Sequence, residues 1–249
     1  MQSTAPGAPS FSDLGKLQSA SERLAEDLRR RFTDQVERAL GVGLDDSVTS
    51  LAYVDHYLAQ ARGETREPIL TLLAAGAGAW FGDLVIRTIG GAWLGDGQRA
   101  TSLRVLLAPQ LIYFSPFAIA LEATLGEEVS PGDPRAPADA PLDAAFHFAK
   151  PGRAKSEAAG APAEDTHDTH DTPGTHHTQD DQTWLAEALT NLAPVPQDHF
   201  HSLTCRFETL ELMLELLAGR QAARGCSPHT YTVADYVAAF DRSAGDRPS

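Results

Sequence analysis

LAAGAGAWFGDLVIRTIGGAW, residues 73–93, is the stretch on which the fold turns. It belongs to an apolar run from Ile69 to Leu94 that is broken by Asp83 and Arg87 and studded with Gly76, Gly78, Gly82, Gly90 and Gly91. A charge near the centre of a bilayer costs about 3 kcal/mol, so the run reads as the buried helix of a protein core and not as a membrane span. Pro68 suits a first helical position, and Gly90-Gly91 closes the helix, which sets its limits at about Glu67 and Ile89. Gly78 and Gly82 lie four apart, on one helix face, where the missing side chains admit a neighbouring backbone. Asp83 and Arg87 have the same spacing with the acid first, the favourable order for a helical ion pair. That pair is either a structural feature of a core helix or, with Trp80 and Trp93, a group that reaches a cleft and contacts a ligand or partner. A dinucleotide fingerprint is set aside: Phe81 stands where the third glycine belongs, and no strand precedes it.

Outward from this helix, apolar residues recur at helical spacing from Ser12 to Leu40, with one skipped turn at Ser21. Gly41-Val42-Gly43 ends that helix. Asp45, Asp46 and Ser47 cap a second, which carries Leu51, Val54 and Leu58 on one face. Downstream, Leu103–Leu107 and Leu111–Phe114 flank a short turn and predict a β-hairpin. Ser115-Pro116 then starts a helix that Gly126 stops. From Glu127 to Gln182 the composition changes: seven prolines against four strongly apolar residues cannot offset the entropy of ordering the chain. This stretch reads as a linker, with Leu142–Phe148 as a patch able to dock. Trp184 to Leu192, Asp198 to Arg224 and Thr232 to Phe240 are amphipathic again. Helices from so short a segment make a marginal core alone, so they are expected to pack back onto the first unit.

The expected fold class is therefore α+β, mostly α: a helical core with a small β-hairpin, a long disordered linker and C-terminal helices packing back. The expected organisation is a disordered leader (1–11), an N-terminal α+β unit (12–126), an acidic Pro/His-rich linker (127–182), a C-terminal helical segment (183–242) and a disordered tail (243–249).

Gly78, Trp80, Phe81, Gly82 and Asp83, then Gly90, Gly91 and Trp93, then Pro116 and Phe117, follow one order. That order resembles a family of uncharacterised bacterial proteins built on a domain of unknown function. There a helix of the form G-x-[aromatic]-[apolar]-G-[acid] leads to G-G-x-W, two strands and a Pro-Phe helix start. The resemblance covers roughly Asp46 to Gly126 and implies a small helical and α+β bacterial domain. It carries no established reaction; a partner-binding or toxin-neutralising role is what such a relative suggests.

The 249 residues hold 34 acids and 20 bases, a net charge of −14. This argues against a general nucleic-acid binder, which needs clustered Lys and Arg, and against a polybasic membrane-surface protein. The acidity is not spread evenly: residues 127–182 carry 12 acids and 4 bases, so −8 of the −14 sits there. Two cysteines, Cys205 and Cys226, exclude a disulfide scaffold, and the intervening helix makes a bond between them geometrically unfavourable. The first ten residues lack the basic and apolar regions of a signal peptide, which points to the cytoplasm.

Four histidines, His167, His170, His176 and His177, alternate with aspartates in one low-complexity run. Imidazole and carboxylate suit zinc or nickel, but the run brings no preformed geometry, so weak binding by the linker is expected and no dedicated cofactor. His201 and Cys205, four apart, make at most two ligands on one face. No nucleophile elbow, phosphate loop or kinase signature occurs, and no residue is nominated as catalytic. The leading expectation is a non-enzymatic protein-interaction module whose partner is another protein. A metal-handling protein using the histidine run is the alternative, and an enzyme of unrecognised type a second. The oligomeric state is left open.

Overall fold

The computed structural model describes residues 11–45, 47–63, 68–130, 132–137, 143–149, 177–192 and 194–245. Helix α1 spans Phe11–Leu40, α2 Leu51–Gln60 and α3 Ile69–Ile89. Strands β1 (Gly91–Leu94), β2 (Arg104–Leu107) and β3 (Ile112–Phe114) precede α4 (Pro116–Leu125), and β4 is His147–Phe148. Helices α5 (His177–Thr190), α6 (Gln197–Phe200), α7 (Leu203–Ala223) and α8 (Val233–Gly245) complete the chain.

α1 is one continuous helix, and its skipped turn has a physical explanation. Ser21 is fully buried, and its hydroxyl donates to the Leu17 carbonyl at 2.8 Å, so a polar side chain sits in the apolar stripe without an unmet hydrogen bond. Gly41 closes the helix at φ 68° with its N–H donated to Glu37. The Ser47 and Ser50 hydroxyls both donate to the Asp45 carboxylate, fixing the short 3-10 turn that enters α2.

α3 lies at the centre. It is the one helix among the described residues long and apolar enough to cross a bilayer, and it is a core helix here, with 72% of its apolar window buried. Each glycine on it meets something different. A Cβ at Gly76 would lie 2.8 Å from the Phe32 side chain of α1, one at Gly78 2.6 Å from the Pro116 carbonyl, and one at Gly82 2.3 Å from the Trp93 ring. The shared face expected for Gly78 and Gly82 thus serves two neighbours: only Gly78 admits a backbone, that of α4, whereas Gly82 receives an indole from the sheet. α4 is itself buried almost throughout, capped by the Ser115 hydroxyl and ended by Gly126 at φ 73°.

The four strands form an antiparallel meander in the order β1-β2-β3-β4. The expected hairpin is β2–β3, with Val105 opposite Phe114. The two outer strands were not expected. β1 follows the helix stop directly, with Gly91 paired to Leu107, and β4 lies in the proline-rich stretch, with Phe148 paired to Ile112. Alternation sends Val105, Leu107, Ile112 and Phe114 into the main core. Leu106 and Tyr113 point the other way, where α8 covers them with Tyr236, Ala239 and Phe240.

The C-terminal helices do pack back. Leu203, Phe207, Leu210, Met213 and Leu217 of α7 and Leu185 of α5 are buried in the same core as α1–α4. The long helix expected from Asp198 is broken at His201-Ser202: Ser202 is the N-cap of α7 and accepts from the Cys205 N–H, so α6 is a separate turn. Parts of the expected linker are structured. Val129 is buried, β4 joins the sheet, and α5 begins at His177, ahead of the boundary at 183. The leader and tail boundaries fall one to a few residues off, since α1 starts at Phe11 and α8 runs to Gly245.

Candidate functional site

Two clusters of charge stand out, one in a surface groove and one with its side chains mostly buried. The first is a groove of about 290 Å³ between α1, α3 and β1, lined by Glu22, Glu26, Arg29, Asp83, Arg87 and Trp93 among others. Helical spacing on α3 puts Arg87 one turn beyond Asp83, and the close approach of α1 brings in Arg29. The Asp83 carboxylate accepts from Arg29 Nε at 2.9 Å and from Arg87 Nη2 at 3.0 Å. The two readings of Asp83 and Arg87 are thereby joined: they form an ion pair, and that pair lines a cleft. Trp93 lines the groove from β1 and is itself buried, at 5% exposure. Trp80 does not reach it. It is 2% exposed in the main core, so the candidate contact at that residue is corrected: the indole is a packing group.

Glu22 and Glu26 stand exposed on the α1 side of the groove, Glu22 accepting from Gln18 at 2.9 Å. Glu22 lies well inside α1 and belongs to the groove.

The buried cluster joins the N-terminal unit to the C-terminal helices. Glu122 is 6% exposed on α4, and its Oε2 accepts from Arg206 Nη2 at 2.7 Å and lies 3.3 Å from His201 Nδ1. Arg206 Nε–H is buried without an acceptor, and the guanidinium lies over the Phe200 ring at 5.3 Å. Sequence reading passed over this set because its members lie 79 and 84 residues apart. One signal was available: Glu122 is the single charge in PFAIALEATL, and an acid on an apolar helix requires a partner.

Other polar ties were equally invisible. The Asp55 carboxylate of α2 accepts the Leu203 and Thr204 N–H groups at 2.7 and 3.0 Å, capping α7 from a different helix. Its neighbour His56 is exposed and faces Gln60. Asp181 of α5, 5% exposed, accepts from Arg220 and Arg224 of α7 at 2.8 and 2.7 Å. The Tyr236 hydroxyl lies within 2.7–2.8 Å of the Leu107, Gln110 and Ile112 carbonyls. Burial pushes that phenol well above its usual range, so it stays a donor and pins α8 to the β2–β3 turn.

Of the metal candidates, His167, His170 and His176 lie outside the described residues, as does the side chain of His177, the first residue of α5. Among the described residues no three His, Cys, Asp or Glu side chains are gathered to hold an ion. His201 turns to Glu122 and not to Cys205. Both cysteines are free thiols, Cys205 half-buried and Cys226 exposed.

No family model, curated protein or solved structure matches this chain.

Proposed function

We propose that this chain is a non-enzymatic protein-interaction module of a bacterial cytoplasm, and that it meets its partner at the groove between α1, α3 and β1. The observation that carries this reading is the meeting of Glu22, Glu26, Arg29, Asp83 and Arg87 around one open groove. Small-molecule sites are mostly apolar and enclosed. This groove is charged and open, the character of a polar contact with another protein's surface. Arg29 and Arg87 are both bonded to Asp83, so the carboxylates of Glu22 and Glu26 set the sign offered to a partner, which favours a basic surface. Such a partner would be steered in by charge, and its capture would weaken as salt screens the attraction.

The resemblance of residues 46–126 to a bacterial domain of unknown function supports the same reading, and a basic toxin or a regulatory protein is the kind of partner it suggests. The test compares the wild-type chain with a Glu22→Lys, Glu26→Lys variant as baits in the native host. A partner retained by the first at low salt and lost by the second is the expected result. Equal retention, or no partner at all, overturns the proposal.

The run of His167, His170, His176 and His177 among aspartates supports a second reading, metal handling. Calorimetry with Zn²⁺ or Ni²⁺ on the intact chain and on a variant with all four changed to Gln decides it: equal affinity removes it.

A further inference from the structure

The sheet has two apolar faces, and they are covered in different ways. Val105, Leu107, Ile112 and Phe114 lie in the main core, which α1, α3 and α7 help to fill. Leu106, Leu111 and Tyr113 belong to a separate cluster, closed by Tyr236, Ala239 and Phe240 of α8. These three residues stand at helical positions i, i+3 and i+4 and form one narrow stripe, while Asp235, Ala238, Asp241 and Arg242 are exposed. Phe240 packs edge-on against Tyr113, with ring centroids 4.9 Å apart. The Tyr236 hydroxyl reaches between the Leu107, Gln110 and Ile112 carbonyls, to which it has one hydrogen to give. Just ahead of the helix, the Tyr231 N–H donates to the Ala108 carbonyl at 2.7 Å. Residues 222–230, between α7 and that tie, are all exposed, so α8 can leave the sheet without moving α7.

We propose that α8 is a displaceable cover, and that the sheet face beneath it is a docking site for an amphipathic helix of another protein. α8 itself displays the chemistry that the face accepts. A hydroxyl-bearing aromatic reaches the turn carbonyls, a small residue three positions on lets the helix approach, and a second aromatic follows at the fourth. A partner helix with this pattern gains the same burial, the mode in which an apolar helix face is laid into an apolar surface. Its affinity is reduced by the fraction of chains in which α8 still holds the face, which makes α8 a brake on docking. α8 can yield where α7 cannot. α7 buries Leu203, Phe207, Leu210, Met213 and Leu217 in the main core, whereas α8 buries Tyr236 and Ala239 in the smaller cluster. Elements with few buried apolar contacts open first. Docking here does not require the groove between α1, α3 and β1.

The test titrates the full chain with a fluorescent peptide of residues 229–245, which carries the stripe of α8. Saturable binding is expected, and one substitution should act in opposite directions. Tyr236→Phe in the chain loosens its own cover and should tighten peptide binding about tenfold, while the same change in the peptide should weaken it about tenfold. Hydrogen exchange on the wild-type chain is the second readout: α8 should open while α3 and α7 keep their protection. No saturable binding, shifts that are absent or of the same sign in both arms, or exchange of α8 only together with α3 overturns the proposal. Dimers of the chain that the peptide dissolves would assign the face to a second copy and overturn it equally.

Discussion

The contact between α3 and α4 and the seam between α4 and α7 lie on the same core, yet they are held by different physics. At the first, glycine lets two backbones approach: Gly78 leaves no room for a Cβ against the Pro116 carbonyl. Alanine, leucine and isoleucine then fill the remaining space, and apolar burial supplies the stabilisation. At the second, apolar residues of α7 still enter the core, but polar ties fix its position: Glu122 of α4 on Arg206 and His201, with Asp55 of the neighbouring α2 on the α7 N-terminus. The apolar contact tolerates no added volume. The polar seam tolerates no lost partner, because a charge left alone in the interior loses its solvation without compensation. A helix can therefore be placed by the shape it presents or by the hydrogen bonds it requires, and this protein uses one device on each side of α4.

The comparison breaks most readily at Glu122. Glu122→Ala leaves Arg206 buried without its carboxylate and should cost about 3–5 kcal/mol, read as a lower urea midpoint. Full stability in that variant would mean that α7 is held by apolar burial alone, as α3 is. Gly78→Ala tests the other side. Overpacking against a backbone carbonyl, which cannot swing away, should cost about 1–3 kcal/mol. A variant that melts at the wild-type temperature would show that α3 and α4 can part to make room.

Asp55→Ala sharpens the contrast. Loss of the cap should cost about 1 kcal/mol, and hydrogen exchange should quicken in the first turn of α7 while α3 keeps its protection. Equal quickening in both helices would show that the two regions open as one.

The smallest effect is expected at Asp96, in the loop between β1 and β2. Burial would raise this carboxyl, but N–H donors from Arg99 and Gln98 and the Ser102 hydroxyl outweigh it and hold it below the usual carboxylate range. A depressed value stabilises the fold above the unfolded value of 3.8, and the contribution is lost as pH falls through the lower folded value. Stability should thus fall less steeply between about pH 5 and 2 in Asp96→Asn than in the wild type. Parallel curves from urea melts across that range would remove Asp96 from the acid response.

What could be read along the chain follows the range of the interaction. The spacing of Phe32 and Val36, of Leu51, Val54 and Leu58, and of Phe207, Leu210 and Leu217 announces helices whose buried faces the structure bears out. Asp83 and Arg87, one turn apart, were legible as a pair for the same reason. Arg29 was not, because α1 is far away in sequence. β1 and β4 escaped because four and two residues are too few for alternation to be seen. Trp80 was overread: three residues before Asp83 it shares a side of α3 with the charged pair, yet the packing around α3 buries the indole in the main core.

The sequence by itself determined the class of the fold, its helices and central hairpin, the glycine-bearing core helix and the return of the C-terminal helices. Each follows from periodicity, capping or the small size of a core, and all of these act within a few turns or on the composition of a whole segment. Only the tertiary structure decided which charges meet: Arg29 with Asp83, Asp55 with α7, Glu122 with Arg206 and His201. A buried charge announces in the sequence that it needs a partner. It does not say which one, because that choice is made by the path of the backbone between them.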